Sequence, residues 1–176
     1  MFKKVLSFFL LNLFCLAFRV DSVYAQPDET CDFALNSVAE QIYQSGSSVN
    51  IIQANDANQD HIGNPSQRKT RVIIILGKLI YPMENIFISK EYDSSSSNEL
   101  NDIAENILNS FQLQQEWANY LVKNCRDLAV VAFGQAYTDW INEYAINTDG
   151  LAKARECIDS TNEFNNSLPW NYQFCL

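Results

Sequence analysis

The chain is predicted to be α+β: a small antiparallel β-sheet packed against a long helical region and stapled by disulfides. Three observations predict this. Apolar residues at helical spacing run through Asn98 to Asn124. A β-branched run, Arg71 to Leu79, and a later stretch, Leu128 to Ile158, have strand character. Once an N-terminal leader is set aside, four cysteines remain, Cys31, Cys125, Cys157 and Cys175. That is an even number suited to two bonds in an exported chain.

The leader is Met1 to Ala25. Lys3 and Lys4 supply a positive start, Val5 to Phe18 an apolar run, and Val23-Tyr24-Ala25 a cleavable end. This is the three-part pattern of a secretory signal. The apolar run is shorter than the roughly 20 residues of a spanning helix. Cys15 follows Phe14, whereas lipidation wants a small residue before the cysteine. The expectation is cleavage before Gln26, an exported product in the periplasm or medium, and no insertion in the membrane. Residues 26–176 then form a single domain, long enough for a core. Within it, residues 26–67 are an N-terminal helix and a polar loop.

The elements follow in order. Leu35, Val38, Ala39 and Ile42 share one face of a helix over Thr30 to Ser45, which Gly46 ends. Ser47 to Gln67 is a polar loop with a short strand at Val49 to Gln53. Arg71 to Leu79 is a central strand, broken by Tyr81-Pro82, and Ile86 to Tyr92 is either a strand or an irregular turn. In the serine run Ser94 to Ser97, Ser96 and Glu99 have capping-box spacing. Leu100, Ile103, Ala104, Ile107, Leu108 and Phe111 form the stripe that follows. A second phase at Leu113, Trp117 and Leu121 implies a bend near Gln112 to Gln115, and the helical region stops near Cys125. An antiparallel meander completes the domain: Leu128 to Gln135, Thr138 to Asn147, and Leu151 to Ile158. Asp149-Gly150 is read as a two-residue hairpin turn. Trp140, Tyr144 and Ile146 share a face, against which Ile103, Ile107 and Phe111 are expected to rest. Leu168 to Leu176 is an aromatic tail.

Three cysteine pairings are open. Pinning the tail favours Cys157 with Cys175, which leaves Cys31 for Cys125. A metal site is disfavoured, because no two cysteines are two to four residues apart and His61 is the only histidine.

Charge narrows the partners. The net charge is −9, and the leader carries three basic residues and one acidic one, so the mature chain stands at −11. Such a chain repels phosphate backbones, so nucleic acid is not an expected partner. Asp56, Asn58 and Asp60 alternate as in the first half of a calcium loop. However, His61 stands where the loop needs glycine, and Gln67 where it needs a bidentate carboxylate. A lone histidine and the lack of Gly-x-Ser-x-Gly leave no nucleophilic triad. Asp139 and Glu143 are paired carboxylates on one strand face, roughly 13 Å apart at about 3.3 Å per residue, too far for either glycosidase geometry. Trp117, Trp140 and Trp170 read as core rather than sugar platforms. Arg68, Lys69 and Arg71 form a charged strand end. No catalytic residue, metal or cofactor is assigned, and the binding residues are unknown.

Val131-Ala132-Phe133-Gly134, Thr138-Asp139-Trp140, Asp149-Gly150, Glu156-Cys157 and the ending Leu168-Pro169-Trp170-Asn171-Tyr172-Gln173-Phe174-Cys175 together resemble small exported proteins of cyanobacteria. The likeness covers about Arg68 to Leu176. Lys69 stands where those chains carry arginine three residues before the strand valine, here Val72. The resemblance implies an α+β fold and export, and no activity. The expected function is a non-catalytic binding or cell-envelope-associated protein whose partner is an unknown protein or envelope component. The alternative is a carboxylate-dependent hydrolase of cell-wall or extracellular polymer. A flat apolar patch would favour the first, and acidic residues aligned in a cleft the second.

Overall fold

The computed structural model describes residues 29–58, 61–79, 86–91, 97–158 and 167–174. The leader and its cleavage site, Cys15, Asp60, Tyr81-Pro82, Ser96 of the capping box and Cys175 lie outside the described residues.

Three helices, α1 (Glu29–Gln44), α2 (Ser97–Asn109) and α3 (Phe111–Asn124), pack on one face of a six-stranded sheet. Its strands are β1 (Val49–Ala54), β3 (Thr70–Leu76), β4 (Ile86–Lys90), β5 (Leu128–Gln135), β6 (Ile141–Ile146) and β7 (Ala152–Ala154). Their order in space is β4-β1-β3-β5-β6-β7. Four short strands make two parallel pairs outside this sheet. They are β2 (His61–Ile62) with β9 (Leu168–Pro169), and β8 (Glu156–Ile158) with β10 (Tyr172–Phe174). The α+β class therefore holds.

The antiparallel sheet is corrected to a mixed one. The central pair, β3 and β5, is parallel, with Val72 opposite Val131 and Ile74 opposite Phe133. Parallel neighbours need a long crossover, and the chain from β4 through α2 and α3 supplies it. The long helical region is also corrected. It is two helices of 13 and 14 residues that break at Ser110, ahead of the expected bend. Gln114 explains the break. Its side chain is fully buried, and Nε2 donates to the carbonyls of Ile107 (2.9 Å) and Leu108 (2.8 Å). These carbonyls end α2, and Ile107 O also accepts from Ser110 N at 3.1 Å. Asn142 Nδ2 adds a second donor to Leu108 O at 3.0 Å and also donates to Gln114 Oε1.

The core lies between the helices and one sheet face. Leu35, Val38 and Ile42 of α1, Leu108 of α2, and Trp117 and Leu121 of α3 meet Ile51, Ile74, Phe133 and Tyr144. The Tyr144 ring sits edge-on to Phe133, and burial pushes its phenol pKa up to about 12. Phe111 does not join this core. It opens α3 and its side chain is 60% exposed, although Ile107 of the same stripe is buried.

The expected third strand, Leu151 to Ile158, changes partner midway. Arg155 N still bonds Glu143 O in the main sheet, whereas Glu156 N bonds Asn171 O in the small one. The hairpin turn before it is longer than expected. Gly150 N bonds Asn147 O, Asn147 N bonds Leu151 O, and Gly150 alone has positive φ (79°). This is a type I turn closed by a left-handed glycine.

A disulfide joins Cys31 to Cys125 across 94 residues, tying the start of α1 to the end of α3. Thr30 Oγ1 reinforces it by donating to Asn124 O at 3.0 Å. Arg68 Nη1 donates to the carbonyls of Val122, Cys125 and Leu128, so this residue of the basic cluster caps a helix. Cys157 is also disulfide-bonded, and its expected partner Cys175 lies outside the described residues.

Replacing Cys31 and Cys125 by serine is expected to cost about 2–5 kcal/mol, because it frees a long loop in the unfolded chain. Denaturant titration of the oxidised parent and the double variant checks this. Gln114→Leu is expected to cost about 1–3 kcal/mol by removing its buried hydrogen bonds to Ile107, Leu108 and Asn142, and Phe111→Ala only about 0.5 kcal/mol. Equal midpoints for these two variants would contradict this account of the helix junction.

Candidate functional site

Alternation divides the sheet cleanly. On β3, Val72, Ile74 and Leu76 are buried toward the helices, while Arg71, Ile73 and Ile75 are half-buried on the opposite face. On that second face β5 presents Val130, Ala132 and Gly134, and β6 presents Ile141, Glu143 and Ala145, as the register requires. One end of this face is sealed by charge and by the C-terminal segment. The other end is a groove.

At the sealed end Glu143 is buried, and its two carboxylate oxygens each take a guanidinium. Arg71 Nη2 donates to Oε1 and Arg155 Nη1 to Oε2. The Glu143 backbone N–H donates to Gln173 Oε1 at 3.1 Å. The Arg155 guanidinium lies 4.9 Å from the centre of the Trp170 ring, whose indole N–H donates to Ile146 O at 2.7 Å. His61 closes the cluster. Its Nε2 is 2.9 Å from Tyr172 O and its Nδ1 is 3.3 Å from Arg155 Nη1. A carbonyl needs a donor and a guanidinium needs an acceptor, so His61 is neutral with its proton on Nε2. Burial first, and then the nearby Arg155 charge, hold its pKa below the ordinary imidazole value, with Glu143 pulling the other way and Arg71 adding to the lowering.

The groove is built by side-chain size. Along β5 the residues on this face shrink from Val130 to Ala132 to Gly134, while both neighbouring strands carry isoleucines. Gly134 lies opposite Ile75 on one side and Ile141 on the other, so the floor drops between two aliphatic walls. Leu79 and the loop from Ala136 to Trp140 raise the rim, and the resulting cavity is about 540 Å³. Gly134 also permits a close backbone approach, since an added Cβ would stand 3.2 Å from Trp140 O. In the rim, Tyr137 takes a left-handed φ of 62° and is 60% exposed. A bulky side chain seldom adopts that conformation. Thr138 Oγ1 fastens the loop by donating to Gln135 O at 3.2 Å and accepting from Trp140 N at 3.2 Å. Trp140 is a shared wall. Beyond it lies a second cleft of about 710 Å³, lined among others by Phe111, Asn142, Glu143, Arg155 and Phe174.

The structure thus draws together residues that the sequence left apart. Of the two paired carboxylates, Asp139 is exposed on the rim and Glu143 is buried under two arginines. His61, the lone histidine, is half-buried in the charge cluster. Of the tryptophans, Trp117 and Trp170 are core residues and Trp140 is partly exposed in the groove. In the calcium-like segment, Asn58 Oδ1 accepts from Asn64 Nδ2 at 2.8 Å, and Asp60 is outside the described residues. Among the described residues no group of three metal-ligating side chains converges. Sequence reasoning missed the groove itself. Its signal was the run Val130, Ala132, Gly134 at every second position of a β-strand.

The bonded cysteines place the chain in an oxidising, non-cytoplasmic setting, and no helix among the described residues is long and apolar enough to cross a membrane. Compared with known protein families, curated proteins and solved structures, the chain matches none.

The histidine makes stability depend on pH. The unfolded chain takes up a proton near pH 6.5 and the folded chain resists it, so the stabilisation is whole above that pH and is lost as pH falls below it. Denaturation midpoints at pH 7.5 and 5.5 should therefore differ for the parent, and the difference should shrink in His61→Gln.

Proposed function

We propose that this is an exported, non-catalytic binding protein that holds an apolar ligand in the groove over Gly134. The observation that carries the reading is an aliphatic trough on the sheet face away from the helices, walled by Ile75 and Ile141 and overlooked by Trp140. Concave apolar sites with few polar groups are the usual form of small-molecule sites, at about 300–1,000 Å³. Export in the reading rests on the secretory pattern of residues 1–25, on the oxidised cysteines and on the likeness to exported cyanobacterial proteins. An envelope component presenting an aliphatic or aromatic group is the natural partner class.

The hydrolase alternative draws less support. A carboxylate that acts as acid, base or nucleophile needs a free oxygen at the substrate, and both oxygens of Glu143 are engaged. Asp139 would then stand without a second carboxylate.

A neutral fluorescent probe, N-phenyl-1-naphthylamine, tests the reading. The parent is expected to bind it with enhanced emission. Ile75→Gln should weaken binding about tenfold, the equivalent of about 1.4 kcal/mol of lost apolar contact. Phe111→Ala, in the neighbouring cleft, should leave it unchanged. No binding by the parent, or equal binding by Ile75→Gln, would refute the proposal.

A further inference from the structure

We propose that the groove selects an amphipathic organic cation, with its apolar body on the isoleucine floor and its ammonium group beside Asp139. This rests on reading the groove as a ligand site, and it adds the ligand's charge.

Among the described residues, Asp139 is the only charged side chain in the groove lining. It is exposed, and among the described residues it has no ion pair or hydrogen-bond partner. It therefore differs from Glu143, whose charge is consumed by Arg71 and Arg155. An uncharged occupant that covered the rim would strip water from the Asp139 carboxylate and return nothing, which is costly. A cationic occupant replaces that water with an opposite charge. The low polarity of the floor strengthens the attraction relative to open solvent.

Trp140, the residue after Asp139, lines the same groove. Aromatic faces attract ammonium groups, and tryptophan does so best. The groove lining thus combines a carboxylate and an indole with aliphatic walls. An anion would find no cationic side chain among the described residues of this lining. At longer range the net charge of −9 draws cations toward the surface and repels anions.

The test uses three probes with one chain length and different heads: octyltrimethylammonium, octanol and octanoate. Each displaces N-phenyl-1-naphthylamine from the full-length exported protein at pH 7.5. The expected order is ammonium at least tenfold tighter than octanol, with octanoate weakest. Asp139→Asn should bring the ammonium down to the octanol level while leaving octanol binding and the denaturation midpoint unchanged. Asp102→Asn, an exposed carboxylate on α2, should leave the preference intact. If the ammonium advantage survives in Asp139→Asn, it comes from diffuse surface charge and the proposal fails. If octanol binds as well as the ammonium, the groove remains a ligand site and only its charge selectivity is refuted. If none of the three displaces the probe, or the probe itself does not bind, both readings fall.

Discussion

Six strands present two faces, and the three described helices reach only one of them. That constraint orders the remaining structure. The face under the helices can be apolar at every second position, and it is, through Ile51, Ile74, Phe133 and Tyr144. The opposite face must be covered by something else or tolerate water. Short parallel pairs and an aromatic C-terminal segment cover one end, and a few half-buried isoleucines stay partly open at the other. The groove lies where no described helix or short strand covers the sheet, deepened at one point by a glycine.

The covered end uses charge where the helix side uses hydrocarbon. A carboxylate between two guanidiniums costs heavily to desolvate, and apolar packing would serve stability as well or better. What the cluster adds is uniqueness of placement. Glu143 on β6, Arg71 on β3, Arg155 past β7 and His61 on β2 come from four separate parts of the chain. Each satisfies a demand that no apolar residue at the same place could satisfy. The C-terminal segment has little regular structure of its own, with strands of two and three residues. Directional polar contacts hold such a segment in one register better than non-directional burial does.

Local elements were legible from local patterns. Leu35, Val38, Ala39 and Ile42 marked α1, and the apolar run Leu128 to Gln135 marked β5 to the residue. The capacity of Ile86 to Tyr92 to be a strand was visible, and its pairing with β1 was not, because a partner three elements away leaves no mark on the run itself. The parallel direction of β3 and β5 was missed for the same reason. Phe111 misled because the helix carrying its stripe ends at Asn109, and Phe111 opens the next one. Gln114 was passed over because a polar residue in a helix is read as solvated. Only its tertiary position makes it the cap of the preceding helix. The groove was half-legible. The decline in size from Val130 to Gly134 is in the sequence, but its meaning needs the isoleucines that β3 and β6 bring alongside.

The parallel pair at the centre also has a consequence in time. Antiparallel neighbours such as β5 and β6 lie a few residues apart along the chain and can find each other early. Strand β3 must instead wait for more than 50 residues, including two whole helices, before β5 exists to receive it. Contacts that span such distances slow folding, since chain entropy is lost before the pairing repays it. Until they form, β3 offers a β-branched edge, Val72 to Leu76, to any other chain nearby. A protein assembled in this order is most vulnerable to self-association while it is young.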